Sequence, residues 1–352
     1  MQALVVRRPH DIALEERDEP RPACGEVLVR PTLVGVCGTD LDIIDGRIDE
    51  AFVRYPIVIG HEWTGVVEVA SDDPASPPPG AAVVVEGIVP CGHCAACVAG
   101  DTNLCETYSE FGFTRDGAAT GLVTAPTRLV HPLMPHVAPE SAVLVEPSSV
   151  VLRALTRAQP KPGQRVAVVG DGTVALLAAR LVRLWSPASV TMFGRRGEQA
   201  ALAQLAGVDD FRASDDGGSA AFDLVIEAAG SAAATSAALR RPTRGGTVLL
   251  LGYPGRDVDV PLRVDDVVNG DVRIIGSFGY TSTAWREVVA LLNAGTIDLG
   301  FLVTHRFHLA DWNAAVETLR GGGGTRAKIV LVADALAEST APRPTRLSID
   351  NL

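Results

Sequence analysis

RVAVVGDGTVALLAA, residues 165–179, joins a strand-like apolar run to a helix-like run rich in alanine and leucine through a glycine turn. Gly170, Gly172 and Ala175 have the spacing G-x-G-x-x-A. At such a turn the first glycine allows a tight bend, the second lets a pyrophosphate approach the backbone, and the small third residue lets the helix pack on the strand. We therefore predict a dinucleotide site at this turn, with a generic strand-to-helix turn as the alternative.

The predicted helix opens at Thr173 and Val174, so these residues are candidate cofactor contacts. A helix N-terminus presents free N–H groups and a partial positive charge to an anion. Asp171 stands beside the expected phosphates, and its charge opposes them unless its side chain points away.

Strand-like and helix-like segments alternate on both sides of this turn, from residue 149 to residue 296. This alternation predicts a Rossmann domain, a doubly wound parallel sheet with helices on both faces. Residues 1–148 instead contain short β-type runs broken by proline and glycine, which predict a partly closed β-barrel. Residues 297–335 resemble a helix and strand that return to the first domain, and residues 336–352 a loose tail. The predicted fold class is α/β plus β.

Composition narrows the possible functions. The 352 residues are 47% hydrophobic and 21% charged, with a formal net charge of -11, as in a folded two-domain protein. The negative charge disfavours nucleic acid and anionic membranes as partners. The N-terminus lacks the pattern of a secretory signal, and no run of eighteen uncharged apolar residues occurs. We expect a cytoplasmic protein with no membrane partner.

The end of the next predicted strand bears on the choice of dinucleotide. In NAD sites an Asp or Glu there accepts hydrogen bonds from the ribose hydroxyls. Here the strand ends in Gly194, Arg195 and Arg196, with no carboxylate. Two guanidinium groups suit a 2′-phosphate, so NADP(H) is favoured and NAD(H) is the alternative. The competing interpretation is that both arginines are solvated surface groups.

CGHCAACVAGDTNLC, residues 91–105, places four cysteines at C-x2-C-x2-C-x7-C. A disulfide framework, a metal site that holds a loop, and part of a reaction centre are the possibilities. Because disulfides are rare in a reducing cytosol, closely spaced C-x2-C repeats favour metal binding.

A second set of potential ligands is spread along the first half of the chain. Cys37, His61 and Glu146, with Glu62 beside the histidine, offer one thiolate, one imidazole and one or two carboxylates. Alone, each residue is more often a core or hydrogen-bonded group. Together they form a zinc ligand set with a coordination position to spare, where zinc can lower the pKa of an alcohol hydroxyl.

These motifs together resemble those of the zinc-dependent medium-chain dehydrogenase/reductases, the alcohol dehydrogenase superfamily. The resemblance runs from residue 1 to about 332 and rests on C-G-T-D at 37–40, G-H-E at 60–62, the cysteine lobe at about 88–108 and the nucleotide loop. The carboxylate of "VEP" is similar to the polyol, threonine, glucose and aminocyclitol branch. Through the runs CETYSEFGFTRDGA and HRFHLADWNAAVETL, the chain most resembles the 2-deoxy-scyllo-inosamine dehydrogenases. The resemblance implies a GroES-like barrel for the first domain.

The resemblance also implies roles for the candidate ligands. A catalytic zinc would bind Cys37, His61 and Glu146, with Glu62 able to exchange into the coordination sphere. Asp40 would orient His61. A second, structural zinc would bind the four cysteines, which fill a tetrahedral shell completely: Cys91, Cys94, Cys97 and Cys105.

Thr39 would pass a proton from the substrate hydroxyl toward solvent. Two departures from the family pattern affect this part of the site. Asp42 stands where many relatives have a relay histidine, so either Asp42 takes that role or water does. Ser148 and Ser149 replace an apolar pair, which could reshape the nicotinamide side of the cleft.

The implied activity is hydride transfer between NAD(P) and a secondary alcohol of polyol, cyclitol, aminocyclitol or sugar type. The partners are therefore a small-molecule alcohol or ketone, and a homodimer or homotetramer is expected. Alternatives are a zinc-free quinone or enone reductase, a non-catalytic zinc and nucleotide sensor, and an NAD-dependent threonine or simple-alcohol dehydrogenase.

Further residues are weaker candidates. His93 is expected to be exposed and not a ligand. Tyr253 and Tyr280 are expected near the nicotinamide or a subunit interface. Candidates for substrate contacts, each equally open to a structural role, are Asp42, Arg47, Arg54, Trp63 and Phe113.

Overall fold

The computed structural model describes residues 1–213, 221–255, 257–321 and 323–333. The predicted loose tail, residues 336–352, lies outside the described residues.

The first part of the chain is built mainly from strands. Its strands are β1 (Gln2–Arg8), β2 (Asp11–Glu16), β3 (Glu26–Val36), β4 (Ile57–Val58), β5 (Glu62–Val69), β6 (Ala82–Val85), β7 (Ile88–Val89), β8 (Ser109–Glu110), β9 (Val123–Pro126) and β10 (Val130–Pro132). Its helices are the short α1 (Gly38–Ile44), α2 (Ala95–Ala99) and α3 (Pro139–Ala142). Strand β3 is central: it pairs with β5 and β9, and its final residues Val34–Val36 are all buried. This agrees with the predicted β domain.

The second part alternates helix and strand. Its elements are α4 (Val145–Ala158), β11 (Arg165–Val169), α5 (Thr173–Val182), β12 (Ser189–Gly194), α6 (Ala200–Leu205), β13 (Asp210–Ala213), β14 (Phe222–Glu227), α7 (Ala232–Leu239), β15 (Pro242–Leu250), α8 (Val264–Gly270), β16 (Arg273–Gly276) and α9 (Ser282–Asn293). The strands form one sheet in the order β13-β12-β11-β14-β15-β16, and every pair is parallel. Because helices cover both faces, the β11 residues Val166–Val169 are all buried. The predicted Rossmann fold is confirmed.

The chain then returns to the first sheet. Its last described elements are β17 (Val303–His308), α10 (Trp312–Arg320) and β18 (Lys328–Val332). Strand β18 pairs antiparallel with β3, with Ile329 opposite Val36, and parallel with β17. The sheet therefore runs β10-β6-β5-β3-β18-β17, and β2-β1-β4 form a separate small sheet. Lys328 is thereby placed beside the end of β3.

Helix α4 lies where the two parts meet. It packs against α5 and α9 and also contacts β5 and β15. Its side chains Val151, Leu152 and Leu155 belong to the same buried cluster as Trp285 of α9. A carboxylate in its first turn, Glu146, is therefore held between the first sheet and the Rossmann sheet. None of the described helices has the length and apolar character needed to cross a bilayer.

The turn between β4 and β5 is packed against the backbone of a neighbouring loop. Gly60 has a φ of +99°, and Ala118 donates its N–H to the Gly60 carbonyl oxygen. A Cβ atom on Gly117 would lie 2.5 Å from the Gly60 oxygen and 2.6 Å from the Ile59 oxygen. His61 follows this turn directly, so the close backbone approach determines where its imidazole stands.

Replacing Gly117 with alanine should therefore destabilise the fold. The added methyl meets backbone oxygens, which cannot move as a side chain can, so we expect the free energy of unfolding to fall by about 1–3 kcal/mol. Gly197→Ala is the matched control because its Cβ would meet nothing within 4 Å. Denaturant unfolding of both variants measures the difference, and equal stability would contradict the packing argument.

Candidate active site

Cys37 occupies the end of β3, where the chain turns into α1. It is the N-cap of that helix, and its sulfur accepts the N–H of Thr39 at 3.2 Å. Asp40, three residues on, returns a carboxylate oxygen to the Cys37 N–H at 2.9 Å. This reciprocal capping arrangement orients the sulfur and leaves the other Asp40 oxygen for a second neighbour.

His61 provides that neighbour. Its Nε2 atom lies 3.2 Å from the Cys37 sulfur, and its Nδ1 atom lies 3.4 Å from Asp40 Oδ1. Nδ1 and Oδ1 are buried and have no closer hydrogen-bond partner among the described residues. Burial would lower the pKa of His61, but Cys37 and Asp40 outweigh it and raise that pKa well above its usual value. The environment of Nε2 therefore favours a positive charge, and a metal ion bound there would take the place of a proton.

Glu62 follows His61 and is fully enclosed. Its Oε2 accepts a hydrogen bond from the ammonium group of Lys328, whose side chain is only 2% exposed. Burial lowers the pKa of Lys328, but the attraction of Glu62 raises it more. Gly35 makes room for the pair, since a Cβ there would lie 2.5 Å from Glu62 Oε2. Glu62 is therefore held by a cation from β18 on one side.

One ligand atom from each of Cys37, His61 and Glu62 lies within 4.8 Å of the others, a group that could hold a metal ion. Sulfur, imidazole nitrogen and carboxylate oxygen are the donors that zinc takes in open sites. Glu146 is not part of this tight group, although Glu62 and His61 both act on it electrostatically. Burial, with the nearby Glu62 carboxylate, raises the pKa of Glu146 to about 8. The donor set of Cys37, His61 and Glu62 therefore fits zinc, and Glu146 lies close enough to interact with it electrostatically.

Glu110 is a further carboxyl group that interacts electrostatically with His61. It ends the short strand β8, and burial raises its pKa to about 7, while His61 acts to lower it. Phe113, in the loop that follows, has its ring 5.2 Å from the His61 ring. An acidic and an aromatic side chain from this segment thus lie near His61.

The other residues that we considered as substrate contacts lie in different environments. Asp42 is ion-paired at 2.7 Å with Arg47, so its carboxylate is engaged outside the histidine environment. Arg54 is exposed, whereas Trp63 is a core residue packed edge-on against Phe111. Trp63 is therefore too enclosed to contact a substrate.

Tyr253 and Tyr280, which are expected near the nicotinamide or a subunit interface, differ in their exposure to solvent. Tyr253 is 70% exposed, but Tyr280 is buried and its hydroxyl accepts the N–H of Ile88. A subunit contact by Tyr280 is thus excluded, because its ring belongs to the core. Ser148 and Ser149 are fully buried in α4, and Ser149 Oγ donates to the carbonyl of its own helix.

The four-cysteine segment forms a separate compact group. The sulfurs of Cys91, Cys94, Cys97 and Cys105 lie within 4.8 Å of one another, and all four are free thiols. The Cys91 and Cys97 sulfurs are 3.9 Å apart. Zn–S bonds of about 2.3 Å in a tetrahedron require about 3.8 Å between sulfurs, so the group fits zinc. His93 is exposed, as expected.

The cysteine segment is also attached to the Rossmann part. Asn103 donates to the Phe278 carbonyl at 2.7 Å, and the Ser282 N–H donates to Thr102 Oγ1 at 2.9 Å. Both partners follow β16, at the carboxyl end of the parallel sheet. The segment thus joins the barrel to the loop that leads into α9.

The glycine turn after β11 has the predicted geometry. Gly170 has a φ of +124°, and a Cβ there would lie 3.0 Å from the backbone of Ala228. Gly172 is the N-cap of α5, and nothing lies within 4 Å of the place its Cβ would take. Ala175 is fully buried. An open helix N-terminus behind a tight turn fits a pyrophosphate.

The two arginines at the end of β12 are arranged differently from one another. The Asp171 carboxylate lies at the end of β12, where it accepts hydrogen bonds from the backbone N–H groups of Arg195 and Arg196, at 2.7 and 2.9 Å. The Arg196 guanidinium is paired with the same carboxylate at 2.8 Å, whereas the Arg195 side chain is exposed. The orientation of Asp171 removes the conflict with the phosphates that its position in the loop suggested.

Two groups near the site were not predicted. Lys328 stands in the apolar run AKIVLV, and it is one of only two lysines in the chain. A lysine inside a strand pattern of buried residues signals a buried partner, but it does not tell which carboxylate that is. Glu110 offered no comparable signal, because it lies in an ordinary polar loop sequence.

Comparisons with known proteins agree with this geometry. Residues 23–136 match the family model described as alcohol dehydrogenase GroES-like domain, and residues 172–294 match the one described as zinc-binding dehydrogenase. D-arabinitol dehydrogenase 1 of Uromyces fabae is 27% identical over 91% of this chain and 94% of its own length. L-galactonate-5-dehydrogenase of Escherichia coli is 30% identical over 88% of this chain and 92% of its own length.

Among solved structures, a zinc-binding dehydrogenase from Sinorhizobium meliloti 1021 bound to NADP superposes with a TM-score of 0.87. It is 25% identical and covers 94% of this chain and 98% of that one. The domain models cover both parts of the fold, and these two curated relatives are named dehydrogenases. The chain is thus an oxidoreductase that belongs to the zinc-dependent medium-chain dehydrogenase/reductases, the alcohol dehydrogenase superfamily.

Proposed function

We propose that this chain interconverts a secondary alcohol of a polyhydroxylated or amino-substituted small molecule and its ketone, with a nicotinamide dinucleotide as hydride carrier. The observation that carries the proposal is the convergence of the Cys37 sulfur, the His61 imidazole and the Glu62 carboxylate in one buried group. The relatives named for arabinitol and galactonate support a polyol-like substrate.

Zinc on these ligands would supply Lewis-acid chemistry, which lowers the pKa of an alcohol hydroxyl so that hydride can leave for the nicotinamide. The chain's own residues prepare the site. Asp40 holds His61 from behind, so that Nε2 points toward the Cys37 sulfur. Thr39, half-buried next to Cys37, is our candidate to take the hydroxyl proton on Oγ1 and pass it toward solvent.

Glu146 and Glu110 support the substrate class. Both carboxyl groups act electrostatically on the surroundings of His61, and burial raises the pKa of each. A carboxyl group can accept hydrogen bonds from sugar-like hydroxyls in either protonation state, and in the neutral form it can also donate one.

The remaining expectations belong to the same proposal. The cysteine segment would bind a second, structural zinc, which gives two per chain. Residues 1–148 with 297–335 and residues 149–296 are proposed as the two domains, and the cytoplasm as the compartment.

The choice between the two dinucleotides rests on the end of β12. The pair Arg195 and Arg196 predicts NADP(H), and the NADP-bound relative supports it. The pairing of Arg196 with Asp171 supports NAD(H) instead.

Removal of the Cys37 sulfur tests the catalytic zinc. We first expect the unmodified protein to oxidise members of a panel of polyols, cyclitols, amino alcohols and simple secondary alcohols, measured by the absorbance of reduced nicotinamide. Cys37→Ala should lower that turnover by at least about 100-fold. It should also lower the zinc content from two ions per chain to one.

Cys24→Ala is the matched control, because Cys24 is an exposed free cysteine outside both clusters. This control should keep both its activity and its zinc. Full activity in Cys37→Ala, or failure of the unmodified protein on the whole panel with both dinucleotides, would refute the proposed function.

Lys328→Met tests the buried ion pair. The substitution leaves the Glu62 carboxylate without its cation, so the free energy of unfolding should fall by about 3–5 kcal/mol. Adding Glu62→Gln to it should recover part of this loss, because no uncompensated charge then remains. Lys161→Met, at the only other lysine and on the surface, is the control and should have almost no effect. Additive losses in the double variant would refute the coupling.

An oligomer is proposed on the surface around β16. This strand ends the parallel sheet, and apolar side chains near it are exposed: Val264, Val268 and Ile274. Exposed apolar groups beside a sheet edge are suited to pairing with a second copy.

Ile274→Asp should therefore shift the protein toward monomer, measured by light scattering after size exclusion. Leu205→Asp places the same charge on an exposed apolar residue of α6 and should leave the assembly unchanged. A monomeric unmodified protein, or equal behaviour of the two variants, would refute this interface.

A further inference from the structure

We propose that Asp171 occupies the donors that a 2′-phosphate would need, and that the chain consequently selects NAD(H) over NADP(H). This inference deepens the proposed function and rests on it for the position of the dinucleotide. The sequence pattern alone favoured the opposite preference, through Arg195 and Arg196.

The Asp171 carboxylate makes four hydrogen bonds at the end of β12. Its Oδ2 accepts the N–H groups of Arg195 and Arg196, at 2.7 and 2.9 Å. Its Oδ1 accepts Nε and Nη2 of Arg196, at 3.1 and 2.8 Å. Two backbone N–H groups and a guanidinium are the donors that an anionic phosphate would otherwise take. Asp171 is in effect an internal anion at this position.

Gly194 explains why the carboxylate comes from the glycine turn and not from the strand. A Cβ on Gly194 would lie 2.9 Å from Asp171 Cβ and 2.5 Å from Phe211 Cζ. The strand end therefore has no space for the acidic side chain that NAD sites carry there. The Asp171 side chain enters the same space from the neighbouring loop, so a carboxylate is present although the strand lacks one.

Arg196 cannot easily turn toward a ligand. It is 13% exposed, and besides Asp171 its guanidinium donates to the carbonyl oxygen of Arg326. Gln199 supports the arrangement, because its Nε2 donates to the carbonyl oxygens of both Asp171 and Arg326. Moving the Arg196 guanidinium would break contacts in two loops at once. Arg195 is then the exposed guanidinium left at the strand end.

NADP(H) and NAD(H) would place different groups beside the Asp171 carboxylate: a 2′-phosphate and a ribose hydroxyl. Burial acts to raise the pKa of Asp171, but the hydrogen bonds and charge of Arg196, together with the Arg195 N–H, outweigh it and lower that pKa, so the group is ionised at neutral pH. A 2′-phosphate carries about 1.5 to 2 negative charges and, like the carboxylate, mainly accepts hydrogen bonds. A ribose hydroxyl is uncharged and can donate to Asp171 in exchange for one of its present donors. The Asp171 carboxylate therefore repels the phosphate and accepts the hydroxyl, whereas the exposed Arg195 guanidinium acts in the opposite direction but is screened by solvent.

Direct binding tests the inference without any alcohol substrate. Calorimetric titration of the zinc-loaded protein should give at least tenfold tighter binding of NADH than of NADPH. Adenosine 5′-monophosphate should likewise bind better than adenosine 2′,5′-bisphosphate. Asp171→Asn keeps the size of the side chain and removes its charge, so it should raise the affinity for NADPH at least tenfold and lower the ratio of NADH affinity to NADPH affinity.

Arg195→Ala is the comparison variant, since it changes a charge at the same strand end and leaves Asp171 in place. It should move the NADH to NADPH ratio in the opposite direction and by less. Tighter binding of NADPH by the unmodified protein would overturn the inference whatever the variants do. Weaker NADPH binding by Asp171→Asn would also overturn it, because Asp171 would then be orienting the arginines for the phosphate.

Because these titrations need no turnover, a protein inactive toward every alcohol would refute the proposed function and still report the cofactor preference. Thermal unfolding and zinc content of each variant identify a loss of fold. The preference of the unmodified protein stays decisive in that case.

Discussion

A buried carboxylate needs a cation beside it, and Lys328 supplies that cation to Glu62 from the last described strand. The pair forms only because β18 lies against β3, whose last residue, Val36, is followed directly by Cys37. The return of the chain to the first sheet is therefore part of the site. Without β18, the buried Glu62 carboxylate would lack its ammonium partner, and a metal ion at the Cys37 and His61 donors would have to balance its charge.

Other carboxyl groups near this ion pair also need a positive charge close to them. Asp40 faces His61, and burial, with the nearby Glu62 carboxylate, raises the pKa of Glu146 to about 8. One ammonium group cannot balance so much acidity in a region of low dielectric. A bound divalent cation would complete the balance, and this explains why sulfur, nitrogen and oxygen donors remain so close together.

The sequence allowed the periodic and local parts of this structure to be predicted. The Rossmann sheet follows from alternating apolar runs around residues 165–179, and the cysteine group from its own spacing. Pairing between distant strands has no such local signature, so Lys328 was missed although Glu62 was named. Trp63 and Tyr280 show a related limit, because an aromatic residue near a motif has the same letters whether it lines a cleft or fills the core.

The same limit applies to the cofactor preference predicted from the two arginines at the end of β12. Arg195 and Arg196 are equivalent as letters, yet one side chain is exposed and the other is bound to Asp171. A guanidinium indicates an anionic ligand only when no anion of the chain itself already occupies it. The glycine at position 194 is the observation that decides between these cases, since it marks the space that the Asp171 side chain has entered. The absence of a carboxylate from a strand end thus does not establish its absence from the site.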